Sequence, residues 1–167
     1  MITIREIRAD DVPAFRLALD SVCRERKYLA AMEAPAEDRV RTFVTENVTA
    51  GHPQFVAESD GQIVRWCDAI PGEQSAGTAH IGRLGMGVIR SHRGQGIGRR
   101  LLGATIGKAR RLGQEKIELS VYASNSTAIM LYAKLGFVEE GRKVRGRLVD
   151  GVYDDVVLMA LWLSEPE

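Results

Sequence analysis

Cysteine is scarce in this chain: Cys23 and Cys67 fall in different expected elements and in no metal-like spacing, so they read as two buried or half-buried thiols of a reducing compartment. No metal site is expected. Long apolar runs are also missing, and none approaches the ~18–20 residues that cross a bilayer. The first residues, MITIREIRADD, lack the apolar stretch of a secretory leader, so a cytoplasmic protein with no membrane partner is expected. An excess of one charge is absent as well. A net charge of +1 exerts no long-range pull on nucleic acid, and any bound anion must be gripped locally. Repeats, low-complexity tracts and linkers are not found. What remains is 167 residues of ordinary globular composition, 45% hydrophobic and 27% charged, which suits one domain over residues 1–167.

The order of elements reads βααβββαβαββ. Ile2 to Arg8 is expected as a strand. Asp10, Asp11 and Pro13 start a helix that runs to about Arg26, since carboxylates cap free N–H groups and Pro suits a first turn. A second helix follows Pro35, with Val40, Phe43, Val44 and Val48 on one face, and stops at Gly51. Gln54–Glu58 and Gln62–Ile70 are paired as a hairpin by Ser59-Asp60-Gly61. Pro71 to Thr78 is a loop. His80 to Ile89 is extended and carries Gly82, Gly85 and Gly87, which implies a bulge or the close approach of another group. Ile97, Leu101, Thr105, Ala109 and Leu112 then mark a helix ended by Gly113. Lys116–Tyr122 is a strand with Ile117, Leu119 and Val121 on one face. Asn125 caps a short helix from Ser126 to Leu135, closed by Gly136. Strands at Val144–Val149 and Val152–Leu161 are joined by Asp150-Gly151. The reading is α/β, one mixed sheet with helices on both faces.

The most informative stretch is Arg93-Gly94-Gln95-Gly96-Ile97-Gly98-Arg99, between a strand and a helix. Alternate glycines let backbone N–H groups converge, and the next helix adds its unpaired N–H groups and its dipole. Such a cradle suits a phosphate or pyrophosphate, with Arg93, Arg99 and Arg100 able to add charge at its rim. Nucleotide motifs fail. From Gly94-x-Gly96 a dinucleotide fingerprint would need glycine at Arg99, and from Gly96-x-Gly98 it would need glycine at Leu101. No Gly-Lys-Ser/Thr triplet exists. A nucleotide-binding oxidoreductase is therefore disfavoured.

Arg93-x-x-Gly96-x-Gly98 closely resembles the acetyl-CoA signature of the GNAT superfamily of N-acetyltransferases. Leu84-Gly85-Met86-Gly87-Val88 is similar to that family's fourth strand, and Asn125-x-x-Ala128-x-x-x-Tyr132-x-Lys134-x-Gly136-Phe137 resembles its second block. The resemblance implies the GNAT fold, a single mixed, mostly antiparallel sheet with splayed central strands. It implies acetyl-CoA as co-substrate. The pantetheine arm would pair with backbone groups of Met86, Gly87 and Val88 by strand addition, and the pyrophosphate would lie on N–H groups from Gly94 through Gln95, Gly96, Ile97 and Gly98 to Arg99. Asn125 would hydrogen-bond the arm, a helix cap being its alternative, and Lys134 belongs to the same cofactor set. Tyr132 would be the general acid for the departing thiolate, its alternative being a packed aromatic on the Ala128, Leu131 and Leu135 stripe.

For the base, or for acceptor binding, the candidates are Glu33, in the link between the first two helices, and Asp68, near the end of a strand; His80 is a third. Arg65 stands where the family often has Gly before Trp, and its side chain would either narrow the acceptor cleft or point to solvent. The expected acceptor is a small amine such as an amino acid or amino-acid-like compound, attacking the thioester directly in a ternary complex. A peptide or protein amine and a silent acetyl-CoA sensor are the alternatives. Members of the family often pair, so a homodimer through the β-rich C-terminal part is a further possibility.

Overall fold

The computed structural model describes residues 1–72 and 75–164; Glu73 and Gln74, within the expected Pro71–Thr78 loop, lie outside them. Among the described residues seven strands form one mixed sheet in the order β1-β2-β3-β4-β5-β7-β6, with four α-helices. Backbone contacts group the chain into two compact units, Met1–Ile70 with Leu84–Leu112, and Pro71–Arg83 with Gly113–Glu167.

In the first unit, β1 (Ile2–Glu6) pairs antiparallel with β2 (Gln54–Ser59), and β2 with β3 (Gln62–Pro71). The β2–β3 hairpin turns on Asp60 and Gly61, both left-handed at φ +50° and +78°, the geometry that matches strand twist. Helix α1 (Val12–Cys23) follows a short 3-10 turn and places Pro13 in its first turn. The Asp11 carboxylate there accepts the Arg8 N–H at 2.8 Å and both Arg5 guanidinium nitrogens at 2.7 and 2.8 Å. Phe15, Ala18 and Val22 of α1 pack with Val40 and Val44 of α2 (Glu37–Ala50) into the core that covers Val56, Val64 and Trp66.

The α2 stripe differs from its expected composition. Phe43 and Val48 are 38% and 42% exposed, while Asn47 takes the third buried position after Val40 and Val44. Spacing of four and then three residues keeps Asn47 on the stripe. Its polarity is satisfied: Nδ2 donates to Gln54 Oε1 at 3.1 Å, and Oδ1 lies 3.1 Å from His52 Nδ1.

Strand β3 is buried without a break from Ile63 to Ala69. Successive side chains point to opposite faces, so both faces are covered, and the run includes two charged residues, Arg65 and Asp68. Helix α3 (Ile97–Arg111) contacts β2 and buries Ile97, Leu101, Thr105 and Ala109. The last residue of the expected stripe, Leu112, lies just past the helix and is 52% exposed.

In the second unit, β5 (Lys116–Tyr122) buries Ile117, Leu119 and Val121 and pairs antiparallel with β7 (Val152–Trp162). Helix α4 (Ser126–Lys134) stands between β5 and β6 (Val138–Val149) in the chain, and β6 pairs antiparallel with β7. Strand β6 begins six residues before the expected Val144, since it starts at Val138. Strand β4 (Ile81–Val88) pairs in parallel with β5 at Ile81↔Lys116, Gly82↔Ile117 and Arg83↔Glu118, and continues past that register to Val88.

Candidate functional site

The glycine loop is built by backbone conformation. Gly94 and Gly96 have φ of +74° and +71°, and a Cβ on either would meet nothing within 4 Å. Glycine is needed there for its left-handed backbone and not for room. Gly96 is the N-cap of α3 and offers no side chain to its first turn, so the opening N–H groups of a fifteen-residue helix have no side-chain cap. Gln95, Gly96 and Arg99 flank this turn at the surface, while Ile97 and Gly98 are buried. Together the groups form an anion cradle of main-chain donors at the positive end of a helix dipole.

Arg93 is committed elsewhere by its side chain. Its Nη1 donates to Glu25 Oε2 at 2.8 Å and its Nη2 to Glu25 Oε1, while Nη2 and Nε donate to the Val88 carbonyl at 3.1 and 3.3 Å. The guanidinium also stacks 4.6 Å above the Tyr28 ring. This pairing holds the Glu25 carboxyl below its usual range. Arg93 thus ties the end of β4 to the loop and to α1's C-terminal side, a long-range partnership that no local pattern encodes. Arg99 and Arg100 are exposed on the first turns of α3.

The glycines of β4 mark close approaches, as their clustering implied. A Cβ on Gly87 would drive into the Trp66 indole, and one on Gly85 would come within 3.0 Å of Asp68 Oδ1. Trp66 is itself seated edge-on against Phe15, with ring centroids 5.7 Å apart. The segment Met86, Gly87 and Val88 is half-buried over this support.

Asp68 is buried beside that strand and accepts the Gly85 backbone N–H. Burial pushes its carboxyl up to about 7, and the Gly85 donation opposes the rise. A carboxyl that titrates there is half ionised at neutral pH. Glu33 is different in kind: its side chain is 72% exposed and lies 3.7 Å from Arg24. His80 is half-buried, and its carbonyl accepts the N–H groups of Glu115 and Lys116 at 3.0 and 3.3 Å. Arg65 does not point to solvent. It is 5% exposed and donates from Nη2 to the His92 carbonyl, just before the glycine loop.

In the second unit, Tyr132 is buried on α4 with its ring 5.6 Å from that of Phe137, and its carbonyl accepts the Leu135 and Phe137 N–H groups. Asn125 caps α4, its Oδ1 accepting the Ala128 N–H at 3.3 Å. Lys134 is exposed in the last turn. Back in the first unit, a hollow of about 710 Å³ lies along α1 and the Gly61 turn, lined by Leu17, Ser21, Glu25 and Arg90 among others; no residue of Met86–Val88 or of the 94–99 loop lines it. Among the described residues no cluster of His, Cys, Asp and Glu could hold a metal ion, and no helix is long and apolar enough to cross a membrane.

A sequence model of the Acetyltransferase (GNAT) family matches residues 15–137. The chain is 27% identical over 130 residues to the L-amino acid N-acyltransferase MnaT of Escherichia coli, covering 78% of this chain and 75% of that one. It is 32% identical over 111 residues to the L-amino acid N-acetyltransferase AaaT of the same organism, covering 66% and 68%. In fold it is similar to a GNAT superfamily phosphinothricin acetyltransferase from Sinorhizobium meliloti in complex with acetyl-CoA, with a TM-score of 0.91 at 20% identity, covering 98% of this chain and 89% of that one.

Proposed function

The chain belongs to the acetyltransferase (GNAT) family of acyltransferases that use acetyl-CoA, and from that premise we propose that its acceptor is the amine of an amino acid or amino-acid-like small molecule. Support for this acceptor comes from the two relatives named for L-amino acids. We carry residues 1–167 as one N-acetyltransferase domain.

The fit of the cradle to a pyrophosphate rests on the left-handed Gly94 and Gly96 and on the first turn of α3, which no side chain caps. In our reading, main-chain N–H groups from Gly94 to Arg99 take the phosphate oxygens, and Arg93 holds the loop in place through Glu25 and Val88. Met86, Gly87 and Val88 offer backbone groups to the pantetheine amides, with Trp66 supporting the strand from beneath. Asn125 has its carbonyl oxygen engaged as a cap, which leaves its amide NH₂ to donate to the arm. Lys134 completes the set.

The single observation that carries the chemistry is Asp68. An amine acceptor arrives protonated and must lose a proton before attack. A buried carboxyl with a pKa of about 7 can accept that proton at neutral pH, directly or through water, and return to its neutral form at little cost. A backbone N–H of the Met86–Val88 strand would stabilise the oxyanion as the carbonyl becomes tetrahedral. Tyr132 is assigned to give its phenolic proton to the thiolate as the C–S bond breaks; a phenol near ~10 and a thiol near ~8.5 are close enough for transfer. Glu33, at the surface between α1 and α2, is assigned to the acceptor's charged groups.

The test is release of free CoA thiol from acetyl-CoA in the presence of each of the twenty L-amino acids, phosphinothricin, spermidine and a peptide with a free N-terminus. Turnover on amino acids and not on the peptide is expected. Turnover on the peptide alone would replace the acceptor class. Binding of acetyl-CoA without turnover on any amine would make the chain a sensor.

A further inference from the structure

Arg65 is the one buried arginine in the run Ile63–Ala69, and its surroundings give it no anion. It is 5% exposed; its Nη2 donates to the His92 carbonyl, and its Nε is buried without a partner. Among the described residues no carboxylate pairs with it. Arg93, of like sign, acts on it, and the Glu25 carboxylate is taken in a two-point pair by Arg93. Burial and Arg93 together push the Arg65 guanidinium below its ordinary value.

A cation in this position is costly. Removal from water penalises an ion by several kcal/mol unless an opposite charge meets it. The backbone makes the imbalance larger, because Arg65 braces His92, the residue before the Arg93–Arg99 loop, and that loop ends at the positive N-terminus of α3. Two positive features therefore bear on one turn: a buried guanidinium bonded to the carbonyl that precedes it, and helix N–H groups at its end that no side chain caps. The sequence offers Arg90, Arg99 and Arg100 around the turn, which add to the excess.

We propose that Arg65 is a positioning residue for acetyl-CoA, a buried charge behind the glycine loop whose counter-ion is the ligand's pyrophosphate and no side chain of this protein. Its second role is geometric: by holding the His92 carbonyl it sets where the loop begins. The inference rests on the proposed seat of the pyrophosphate at residues 94–99 and not on the acceptor class.

The experiment is isothermal titration of acetyl-CoA into wild type, Arg65→Met, Arg65→Lys and Gly96→Ala, with the ligand-free melting temperature of each. Methionine keeps the length and removes the charge; lysine keeps the charge. Arg65→Met is expected to raise the acetyl-CoA Kd about tenfold, with a ligand-free Tm equal to or above wild type, because an unbalanced buried ion has been replaced by an apolar chain. Arg65→Lys should stay within about threefold of the wild-type Kd. An unchanged Kd in Arg65→Met overturns the proposal, as does an equal loss in Met and Lys. A sharp fall of the ligand-free Tm, or failure of Arg65→Met to fold, also overturns it, since that is the behaviour of a residue that serves the fold and not the ligand. Gly96→Ala separates the underlying reading: if it leaves the Kd unchanged, the pyrophosphate does not sit on the loop, whatever Arg65 does.

Discussion

Asp68→Asn isolates the ionisation on which the proposed proton transfer depends. Asparagine keeps the side-chain oxygen that accepts the Gly85 N–H and removes the titrating proton. In the folded protein the carboxyl is raised from 3.8 to about 7 by burial. The folded state therefore holds this proton over a window of about three pH units in which the unfolded chain has released it. Each unit is worth about 1.36 kcal/mol, so the wild type loses roughly 4 kcal/mol of stability relative to Asp68→Asn as pH rises from 4 to 7. The sign is fixed by where the proton is bound. Below pH 4 both states carry it and the contribution is fully present; above 7 neither carries it and the loss is complete. Cys67, the adjacent titratable group, is raised further by burial and stays a neutral thiol across the window. Urea unfolding at pH 4.5, 5.5, 6.5 and 8 gives the free energies for both proteins. The Asp68→Asn minus wild-type difference should climb steadily and level off near pH 7. A difference flat within about 1 kcal/mol over that range would mean that the carboxyl ionises in the folded state as it does in water, and would remove Asp68 as a base poised at neutral pH.

The same group should appear in the kinetics: kcat/KM of the wild type is expected to fall below about pH 7, and in Asp68→Asn that acid limb should vanish along with most of the rate. Tyr132→Phe should lower kcat by about 10²–10³-fold while leaving acetyl-CoA affinity by calorimetry within about twofold; wild-type turnover would make Tyr132 a packing partner of Phe137 and nothing more. Gly87→Ala places a methyl group against the Trp66 indole and should cost roughly 1–3 kcal/mol in a thermal or urea melt, with no loss if Trp66 can move aside. Saturating acetyl-CoA, at about 100 times its Kd, should add about 2.7 kcal/mol to stability, whereas NAD should add none.

Turn chemistry made the frame readable. Asp60-Gly61 and Asp150-Gly151 both adopt the left-handed pairs that such dipeptides favour, and they specify two hairpins locally. The alternation of Ile117, Leu119 and Val121 placed β5 in full, since one buried face leaves a period of two. Only the second half of strand β6 is legible, for the opposite reason. From Val138 to Val149 it is mostly exposed, and its pairing with β7 shifts register at Glu139/Gly141 and at Lys143/Arg147, so no steady alternation is written into it. Within α2 the apolar residues misled: Phe43 and Val48 flank the stripe, and a hydrogen-bonded Asn47 fills it. At the site, the glycines of β4 announced a close approach but could not name Trp66 or Asp68 as what approaches. The destination of Arg65 was unreadable, because burial of a charge depends on long-range packing that no local pattern encodes.

One property of the loop bears on how this enzyme can be re-engineered. Its proposed donors are peptide groups, and Arg93, which ties the loop to its surroundings, spends its guanidinium on Glu25 and Val88. Alanine in place of Gln95 or Arg99 would consequently return muted responses, and would understate the segment's importance. For directed evolution that silence is useful. Gln95 and Arg99 can be randomised to tune solubility or to append a tether while the donors stay fixed, whereas Gly94 and Gly96 tolerate no library at all.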